Sequence, residues 1–357
     1  MAGASLAATV ALFAADALLF RSGLYASILE PDSSTGIFEL ILRRELEAQA
    51  QNGDNMVATF GDSRFAFYPR VCNRLTGETG LVIRSAGVAG SDLRSWYFML
   101  RDLDPHARRY RALVFGLEAY EDEDGFFNPF DDVRALHYVM ARLRLGDVLP
   151  FARSFESPAI QWQAVRGGVL KGFVFQSDIQ AFLSHPLKRI QYVQLCRRGY
   201  PQWTYDYVDS SRTMTGLAID WSTLTATFPS SFDDVQRETV QNALLRKAAP
   251  QIGRVAAFRR EWFGKILDRY RGSRTKIVFL RLPRGPIPRP DSLMPKTSSS
   301  IREFAARPGV LLCDEHAFDS LERPELFKDA LHLNDEGCKR FSVLLARELA
   351  RMLGHAL

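Results

Sequence analysis

The sequence predicts an α/β protein built on a doubly wound parallel sheet. Short apolar segments that alternate with helical patterns carry this prediction. The expected strands are residues 56–60, 80–84, 112–116, 275–281 and 309–313, and the helices after them are 64–75, 92–102, 254–271 and 335–353. Short, continuously apolar strands are typical of a parallel sheet that is buried on both faces. A functional site is therefore expected at the carboxyl ends of the strands.

A long insertion interrupts this alternation between the third and fourth expected strands. It covers about residues 120–250, is predicted to be mainly helical and is rich in aromatic residues, among them Tyr138, Trp162 and Trp221. Aromatic faces stack on sugar rings, so a glycan-binding groove is one interpretation, and a hydrophobic core beneath long loops is the other. We expect one large α/β domain over residues 56–357, with the insertion inside it, preceded by a linker and an amphipathic helix over residues 22–55.

The N-terminus predicts a membrane helix. The chain from Ala2 to Phe20 is almost entirely apolar, with Asp16 as its only charge and Arg21 at its end. Such a run is just long enough to cross a bilayer, so residues 1–21 are expected to form a transmembrane anchor. No basic segment precedes it and no small-residue cleavage site follows, which favours a retained anchor over a cleaved signal peptide. A carboxylate in lipid is costly, so Asp16 indicates a partner helix within the membrane, or else a core helix of the protein.

Composition excludes several classes of function. The 357 residues are 46% hydrophobic and 24% charged, as in ordinary globular proteins, and the net charge is +5. No motif supports nucleic-acid binding, so the positive bias suits anionic polymers or phospholipid headgroups better. The four cysteines are widely separated and the histidines lack metal-ligand spacing. We therefore expect neither a metal nor a cofactor. The cysteines are expected to be free buried thiols, with a disulfide as the alternative if the domain lies outside the cytoplasm.

Two short motifs at opposite ends of the chain supply the members of a nucleophilic triad. Ser63 lies in the segment Gly-Asp-Ser-Arg directly after the first strand, and Asp329 and His332 lie three residues apart before the last helix. A seryl hydroxyl attacks a carbonyl at neutral pH only when a base removes its proton. An imidazole does this, and a carboxylate holds the imidazole in the required tautomer. Asp329 and His332 share one tight loop, so a single turn can bring both to Ser63.

The order and placement of these motifs resemble the SGNH, or GDSL-type, hydrolase family. The resemblance covers about residues 55–120 and 270–355 and implies a flavodoxin-like sheet. It assigns Ser63 as nucleophile, His332 as base and Asp329 as the residue that orients it. A second family block contributes a glycine whose N–H binds the oxyanion. Gly90 occupies that position here, with Gly87 as the next candidate, although both glycines could simply permit a tight turn.

The third family block departs from the pattern. Its usual asparagine, a second oxyanion donor, is replaced by Glu118. An ionised carboxylate cannot donate a hydrogen bond and would repel an oxyanion. The oxyanion hole is therefore predicted to rest on the backbone N–H groups of Ser63 and Gly90. Arg64, Gly87, Glu118 and Arg284 are the candidate substrate contacts.

The sequence-based hypothesis is a membrane-anchored SGNH-type acyltransferase or esterase, without cofactors, that acts on O-acyl groups of a cell-envelope polysaccharide. The resemblance implies a single-pass protein of the inner (cytoplasmic) membrane, attached through residues 2–20, with its catalytic domain in the periplasm or outside the cell. A polysaccharide acceptor and a membrane-bound O-acyltransferase are the expected partners. A plain carboxylesterase is the first alternative. The second is a catalytically weak binding subunit of a polysaccharide acylation or export complex, which Glu118 keeps open.

Overall fold

A five-stranded parallel sheet forms the centre of the fold. The computed structural model describes residues 2–49, 55–69, 71–122, 133–199, 211–245, 252–293 and 297–354. Its strands are β1 (Met56–Phe60), β2 (Val82–Ser85), β3 (Ala112–Leu117), β4 (Ala218–Asp220), β5 (Thr225–Thr227), β6 (Lys276–Arg281) and β7 (Val310–Leu312). The parallel sheet has the order β2-β1-β3-β6-β7, and β4 pairs with β5 in a separate antiparallel hairpin.

The strand order is flavodoxin-like and confirms the predicted α/β class. Each sheet strand lies within two residues of the position predicted from the sequence, and β1 and β3 are buried along their whole length. The chain turns outward in opposite directions from β1 and β3, which are neighbours. Such a topological switch point opens a crevice at the carboxyl ends of the two strands, where open α/β sheets bind ligands.

Fourteen helices are described. They are α1 (Ala2–Asp16), α2 (Ser34–Gln49), α3 (Ser63–Phe67), α4 (Thr76–Thr79), α5 (Leu93–Leu103), α6 (Val133–Met140), α7 (Val148–Arg153), α8 (Pro158–Val169), α9 (Gln176–Ser184), α10 (Pro186–Gly199), α11 (Asp234–Thr239), α12 (Ile252–Arg269), α13 (Ser300–Ala305) and α14 (Asp335–Met352). The helix predicted over 64–75 is instead broken into α3, a 3₁₀ turn and α4. Pro69 follows α3 and has no N–H to continue the hydrogen-bond pattern, which accounts for the break.

The described chain forms two compact units. Unit 1 comprises Met1–Ala48, Arg94–Leu103 and Asn128–Thr204, and unit 2 comprises Gln49–Leu93, Asp104–Phe127 and Tyr205–Leu357. These units cut across the expected domain boundaries, because residues 128–204 of the insertion group with the N-terminal segment, and the insertion residues before and after them group with the sheet. The helical insertion is present as α6 to α10, whereas the hairpin β4–β5 belongs to unit 2. Helix-to-helix packing in unit 1 thus unites segments that are distant in sequence.

The N-terminal segment forms one apolar helix in unit 1. Helix α1 continues without interruption into a π-helical turn at Ala17–Arg21. The stretch Ser5–Ser27 is long and apolar enough to cross a membrane, so it is either a membrane anchor or a signal sequence. Residues 5–15 are exposed on every side, as expected for a helix that does not pack into the core of the protein.

The surroundings of Asp16 differ from the expectation of a separate partner helix. Its side chain is buried, and its two carboxylate oxygens accept hydrogen bonds from the backbone N–H groups of Lys171 (3.2 Å) and Gly172 (2.9 Å). The partner of the charge therefore lies in the insertion of the same chain. The contact satisfies the carboxylate with main-chain donors, which removes most of the cost of placing it in an apolar helix.

The cysteines of the described chain are free. Cys72, Cys196, Cys313 and Cys338 are all buried, and none forms a disulfide. Burial raises the pKa of Cys72 and of Cys313 to about 12, so both remain protonated thiols at neutral pH. A buried, protonated thiol is a poor nucleophile and metal ligand, and these cysteines act as small apolar core residues.

Candidate active site

Ser63 lies at the carboxyl end of β1, where the strand turns into α3. It is the first residue of that helix and is half-buried. Asp62 caps the helix, because its carboxylate accepts a hydrogen bond from the backbone N–H of Arg64 at 2.9 Å. This cap fixes the sharp turn between strand and helix. It therefore holds the seryl hydroxyl in the crevice above the switch point.

The loop before α14 is shaped by Asp329 itself. The Asp329 carboxylate accepts hydrogen bonds from the backbone N–H groups of Leu331 and His332, each at 2.8 Å. The loop closes at its base, where the Lys328 N–H donates to the His332 carbonyl at 2.9 Å. The Asn334 side chain then caps α14 by accepting from the Gly337 N–H, as the sequence predicted for Asn334 or Asp335. Because Asp329 and His332 are only three residues apart, one carboxylate can bind the loop N–H groups and the His332 ring at the same time.

Ser63, His332 and Asp329 come together in unit 2. The distance from Ser63 Oγ to His332 Nε2 is 2.8 Å, and His332 Nδ1 lies 3.0 Å from both carboxylate oxygens of Asp329. A carboxylate only accepts hydrogen bonds, so Nδ1 carries the proton and Nε2 presents its lone pair to the serine. The imidazole of His332 thus lies within hydrogen-bond distance of both the Ser63 hydroxyl and the Asp329 carboxylate, as the sequence-based hypothesis requires.

Asp329 is held in its ionised form. Burial alone would raise its pKa, but the hydrogen bond and charge of His332 and the two loop N–H groups outweigh burial, so the pKa lies below the ordinary value of 3.8. A carboxyl whose pKa is lowered in the folded state stabilises the fold above its ordinary pKa and loses that contribution only in more acidic solution. At neutral pH the carboxylate can therefore hold the imidazole and stabilise it when it becomes charged.

Tyr68 fixes the histidine loop from the other end of the chain. Its side chain is 1% exposed, and its hydroxyl donates to the Leu331 carbonyl (2.7 Å) and accepts from the Leu333 N–H (3.2 Å). It therefore contacts the residues on both sides of His332. Nothing local in the sequence connects Tyr68 to a loop more than 260 residues away, so this contact could not be predicted. The position of Tyr68 five residues after Ser63 was the only available signal.

We expect Tyr68→Phe to slow serine labelling by a fluorophosphonate and to lower the free energy of unfolding by about 1–3 kcal/mol, because it removes the hydrogen bond to a part-buried carbonyl and leaves a buried N–H without its acceptor. Tyr270→Phe is the matched control. The Tyr270 hydroxyl is also buried and donates to Asp104 at 2.9 Å. Tyr270 precedes β6 in the chain, so this bond lies near the amino end of that strand, whereas Ser63 follows the carboxyl end of β1. Labelling rates and denaturant curves measure both effects. Equal labelling rates in the two folded variants would contradict a positioning role for Tyr68.

The turn after β2 lies against the loop that carries Ser63. The Val88 N–H and the Ser91 hydroxyl donate to the Gly61 carbonyl at 3.1 and 3.2 Å. Gly90 has φ +70°, a left-handed conformation that favours glycine. In the described part of the chain, neither the Gly90 N–H nor the Ser63 N–H donates to a protein acceptor. Both groups therefore remain candidates for the oxyanion hole.

Glu118 and Arg64 form an ion pair at the end of β3. Arg64 is buried and donates to both carboxylate oxygens of Asp62, the closest contact being 2.7 Å, and its guanidinium lies 3.7 Å from the Glu118 carboxylate. Burial alone would raise the pKa of Asp62, but the charge and hydrogen bonds of Arg64 outweigh burial and hold that pKa below its ordinary value. The negative charge of Glu118 is thus accompanied by a buried cation, which offsets part of that charge beside Ser63.

The remaining candidate substrate contacts have structural partners. A Cβ at Gly87 would lie 2.8 Å from the Ala66 Cα, so a glycine is needed there for the close approach of α3. The Arg284 guanidinium donates to both oxygens of the nearly buried Glu322, at 2.8 to 3.2 Å. Arg64 is held by Asp62 and Glu118. A substrate role for these residues remains a prediction, and only Glu118, about a third exposed, presents a large accessible area.

A comparison of the chain with models of known protein families finds no match, and neither does a comparison with curated proteins.

Proposed function

We propose that the protein is an SGNH-type serine acyltransferase or esterase that acts through an acyl-Ser63 intermediate. The contact of 2.8 Å between Ser63 Oγ and His332 Nε2, with Asp329 on the other ring nitrogen, carries this proposal. The position of Ser63 at the switch point of a flavodoxin-like sheet supports it further. Both observations concern the site, because fold alone does not define function.

In the first half of the reaction, Ser63 Oγ attacks the carbonyl carbon of an acyl ester or thioester while its proton passes to His332 Nε2. The negative charge that develops on the carbonyl oxygen is stabilised by the N–H groups of Ser63 and Gly90. The tetrahedral intermediate then collapses, the bond to the leaving group breaks, and His332 returns the proton to the leaving alcohol or thiol. The ionised Asp329 stabilises the imidazolium throughout.

In the second half, an acceptor hydroxyl attacks the acyl-Ser63 ester and gives its proton to His332. The tetrahedral intermediate releases Ser63, which recovers that proton. With water as acceptor the enzyme is an esterase, and with a sugar hydroxyl it is a transferase. The proposed substrates are O-acyl groups, in particular O-acetyl groups, of an envelope polysaccharide. This choice depends on the family resemblance and on the anchor rather than on a contact in the site.

The position of Asp16 supports a retained anchor rather than a cleaved signal sequence. Cleavage after the apolar run would remove Asp16 and leave the N–H groups of Lys171 and Gly172 without their acceptor. It would also remove Phe20, which stacks on Phe175 with ring centroids 5.2 Å apart. We propose accordingly that unit 1 keeps the helix and that the protein is a single-pass membrane protein with its catalytic domain outside the cytoplasm.

A binding role within an acylation or export complex is the second candidate, and Glu118 favours it. A carboxylate stands where the resemblance implies an oxyanion donor, and an anion there disfavours the transition state. In this case Ser63 would acylate slowly or not at all. The Glu118–Arg64 ion pair weakens this candidate without removing it, because it offsets only part of the charge.

Product analysis separates the candidates. We expect 4-nitrophenyl acetate to give a burst of nitrophenol and an acetylated Ser63 peptide in mass spectra, since covalent catalysis accumulates the acyl-enzyme. Added oligosaccharide acceptor should divert acetyl groups from acetate to the sugar if the enzyme is a transferase. Acetate formation that is unaffected by the acceptor would favour the esterase. Absence of Ser63 acetylation would support the binding candidate.

A further inference from the structure

The carboxyl-terminal end of the N-terminal helix is hydrogen-bonded to one turn of the insertion. Besides the Asp16 contacts, Arg21 donates from its guanidinium to the carbonyls of Gly168 (2.8 Å) and Val169 (3.0 Å) at the end of α8. Asp16 thus binds the turn that follows α8, and Arg21 binds the end of α8 itself. Residues 16–21 and 168–175, all in unit 1, consequently lie at the same level along the helix axis.

Helix length places this turn close to a bilayer surface. The stretch that is long and apolar enough to cross a membrane is Ser5–Ser27, which takes in most of α1 and the turn at Ala17–Arg21. As a helix its 23 residues extend about 34 Å, a little more than the hydrocarbon core of about 30 Å. The carboxyl-terminal boundary of that core therefore falls close to Arg21 and to the end of α8.

The surface at this level is unusually apolar for one that faces water. Leu18 is exposed on the helix itself, and Val169 and Phe173 are 41% and 49% exposed directly beside the Asp16 and Arg21 contacts. Trp162 and Arg166 lie on the same face of α8 as Val169, because they are spaced at i, i+4 and i+7. The Arg166 guanidinium covers the Phe173 ring at 5.0 Å. We call Leu18, Trp162, Arg166, Val169 and Phe173 the α8 surface.

We propose that the α8 surface is immersed in the headgroup region of the bilayer, so that unit 1 docks onto the membrane beside its anchor. The inference depends on the proposed anchor and goes beyond it by assigning a second lipid contact. Exposed aromatic and aliphatic residues beside a basic side chain are the usual composition of interfacial segments. Because the α8 surface is continuous with the membrane helix, we infer that it contacts lipid. The positive charge of Arg166 suits this contact, since headgroups carry negatively charged phosphates.

Fluorescent probes of depth test the proposal in the full-length protein. Single cysteines at Val10, Val169 and Val235 are labelled with an NBD maleimide, which the four buried native thiols resist. The protein is reconstituted into vesicles of phosphatidylcholine with a minor fraction of phosphatidylglycerol. Val10 reports on the anchor and Val169 on the α8 surface. Val235, on α11 in unit 2, is 44% exposed and serves as the matched control.

We expect the emission of the Val169 probe to shift to the blue and to be quenched by lipids that are brominated near the headgroup. The emission of the Val10 probe should be quenched by lipids that are brominated deeper in the acyl chain. The Val235 probe should keep its emission in water. A water-like Val169 probe beside a quenched Val10 probe would overturn the docking and leave the anchor intact. A blue-shifted Val169 probe that bromine does not quench would indicate a protein contact and would also overturn it.

Other patterns are equally decisive. A water-like Val10 probe would refute the anchor and the docking together, and quenching at Val235 as well as at Val169 would show general adsorption instead of a defined surface. None of these outcomes bears on Ser63, whose acylation is measured separately. Failure of the docking proposal can therefore be distinguished from failure of the proposed function.

Discussion

Replacing Ser63 by alanine should abolish labelling by a fluorophosphonate and lower any acyl-transfer rate by about 10⁶-fold, the scale of loss found when a triad loses its nucleophile. In the proposed mechanism the Ser63 hydroxyl forms the acyl bond, and His332 Nε2 lies 2.8 Å from it. Removal should leave the fold intact, because alanine is well tolerated in a helix and caps are supplied by Asp62. The measurement is gel fluorescence together with initial rates.

Ser222→Ala is the matched control for this variant. Ser222 is exposed, lies between β4 and β5 and bonds only locally, to Asp220. Labelling should be unchanged in that variant, and both proteins should unfold at similar denaturant concentrations. A Ser63→Ala protein that still labels would assign the reactive group to another residue. A wild-type protein that never labels would favour the binding candidate.

The second large effect concerns Asp329→Asn, which should lower the rate by about 10⁴-fold while preserving the fold. The amide oxygen can still accept from the Leu331 and His332 N–H groups, so the loop keeps its shape. The amide no longer stabilises the imidazolium, and its NH₂ group favours the tautomer with the proton on Nε2. His332 would then point a donor at Ser63 instead of a lone pair.

Asp314→Asn separates this effect from a general loss of turn geometry. Asp314 is exposed and accepts from the His316 N–H two residues on, as Asp329 does from Leu331, but it serves no base. We expect normal labelling rates for Asp314→Asn and much slower labelling for Asp329→Asn, with both proteins folded by circular dichroism. Similar rates in the two variants would mean that Asp329 only shapes its loop.

Much of the fold could be predicted from the sequence because the relevant information is local. A short, continuously apolar run such as Met56–Phe60 is typical of a buried strand in a parallel sheet. Asn334 caps a helix by accepting a hydrogen bond from the Gly337 N–H, three residues away. The pairing of Asp329 with His332 is also local. Only Ser63 had to be matched to this pair across the chain, and the strand before it provided the clue.

What the sequence left open depends on residues that meet only after folding. Arg284 was predicted as a candidate substrate contact, and no local pattern indicated that both carboxylate oxygens of Glu322, 38 residues later, accept hydrogen bonds from it. Tyr68 reaches the histidine loop across more than 260 residues, and no local pattern records that contact.

By itself, the sequence determined the α/β class, the strands of the parallel sheet, the apolar N-terminal helix and the residues of the candidate triad. The first three depend on apolar spacing, and the triad depends on two short motifs, of which the one around Ser63 had to be matched to the other across the chain. The tertiary structure alone decided that Asp16 is satisfied by the Lys171 and Gly172 N–H groups, that Arg64 pairs with Glu118 and that the insertion is divided between two units. Those features depend on which distant segments pack together. A buried charge needs a partner, but the residue type of the charged side chain does not say which segment supplies that partner.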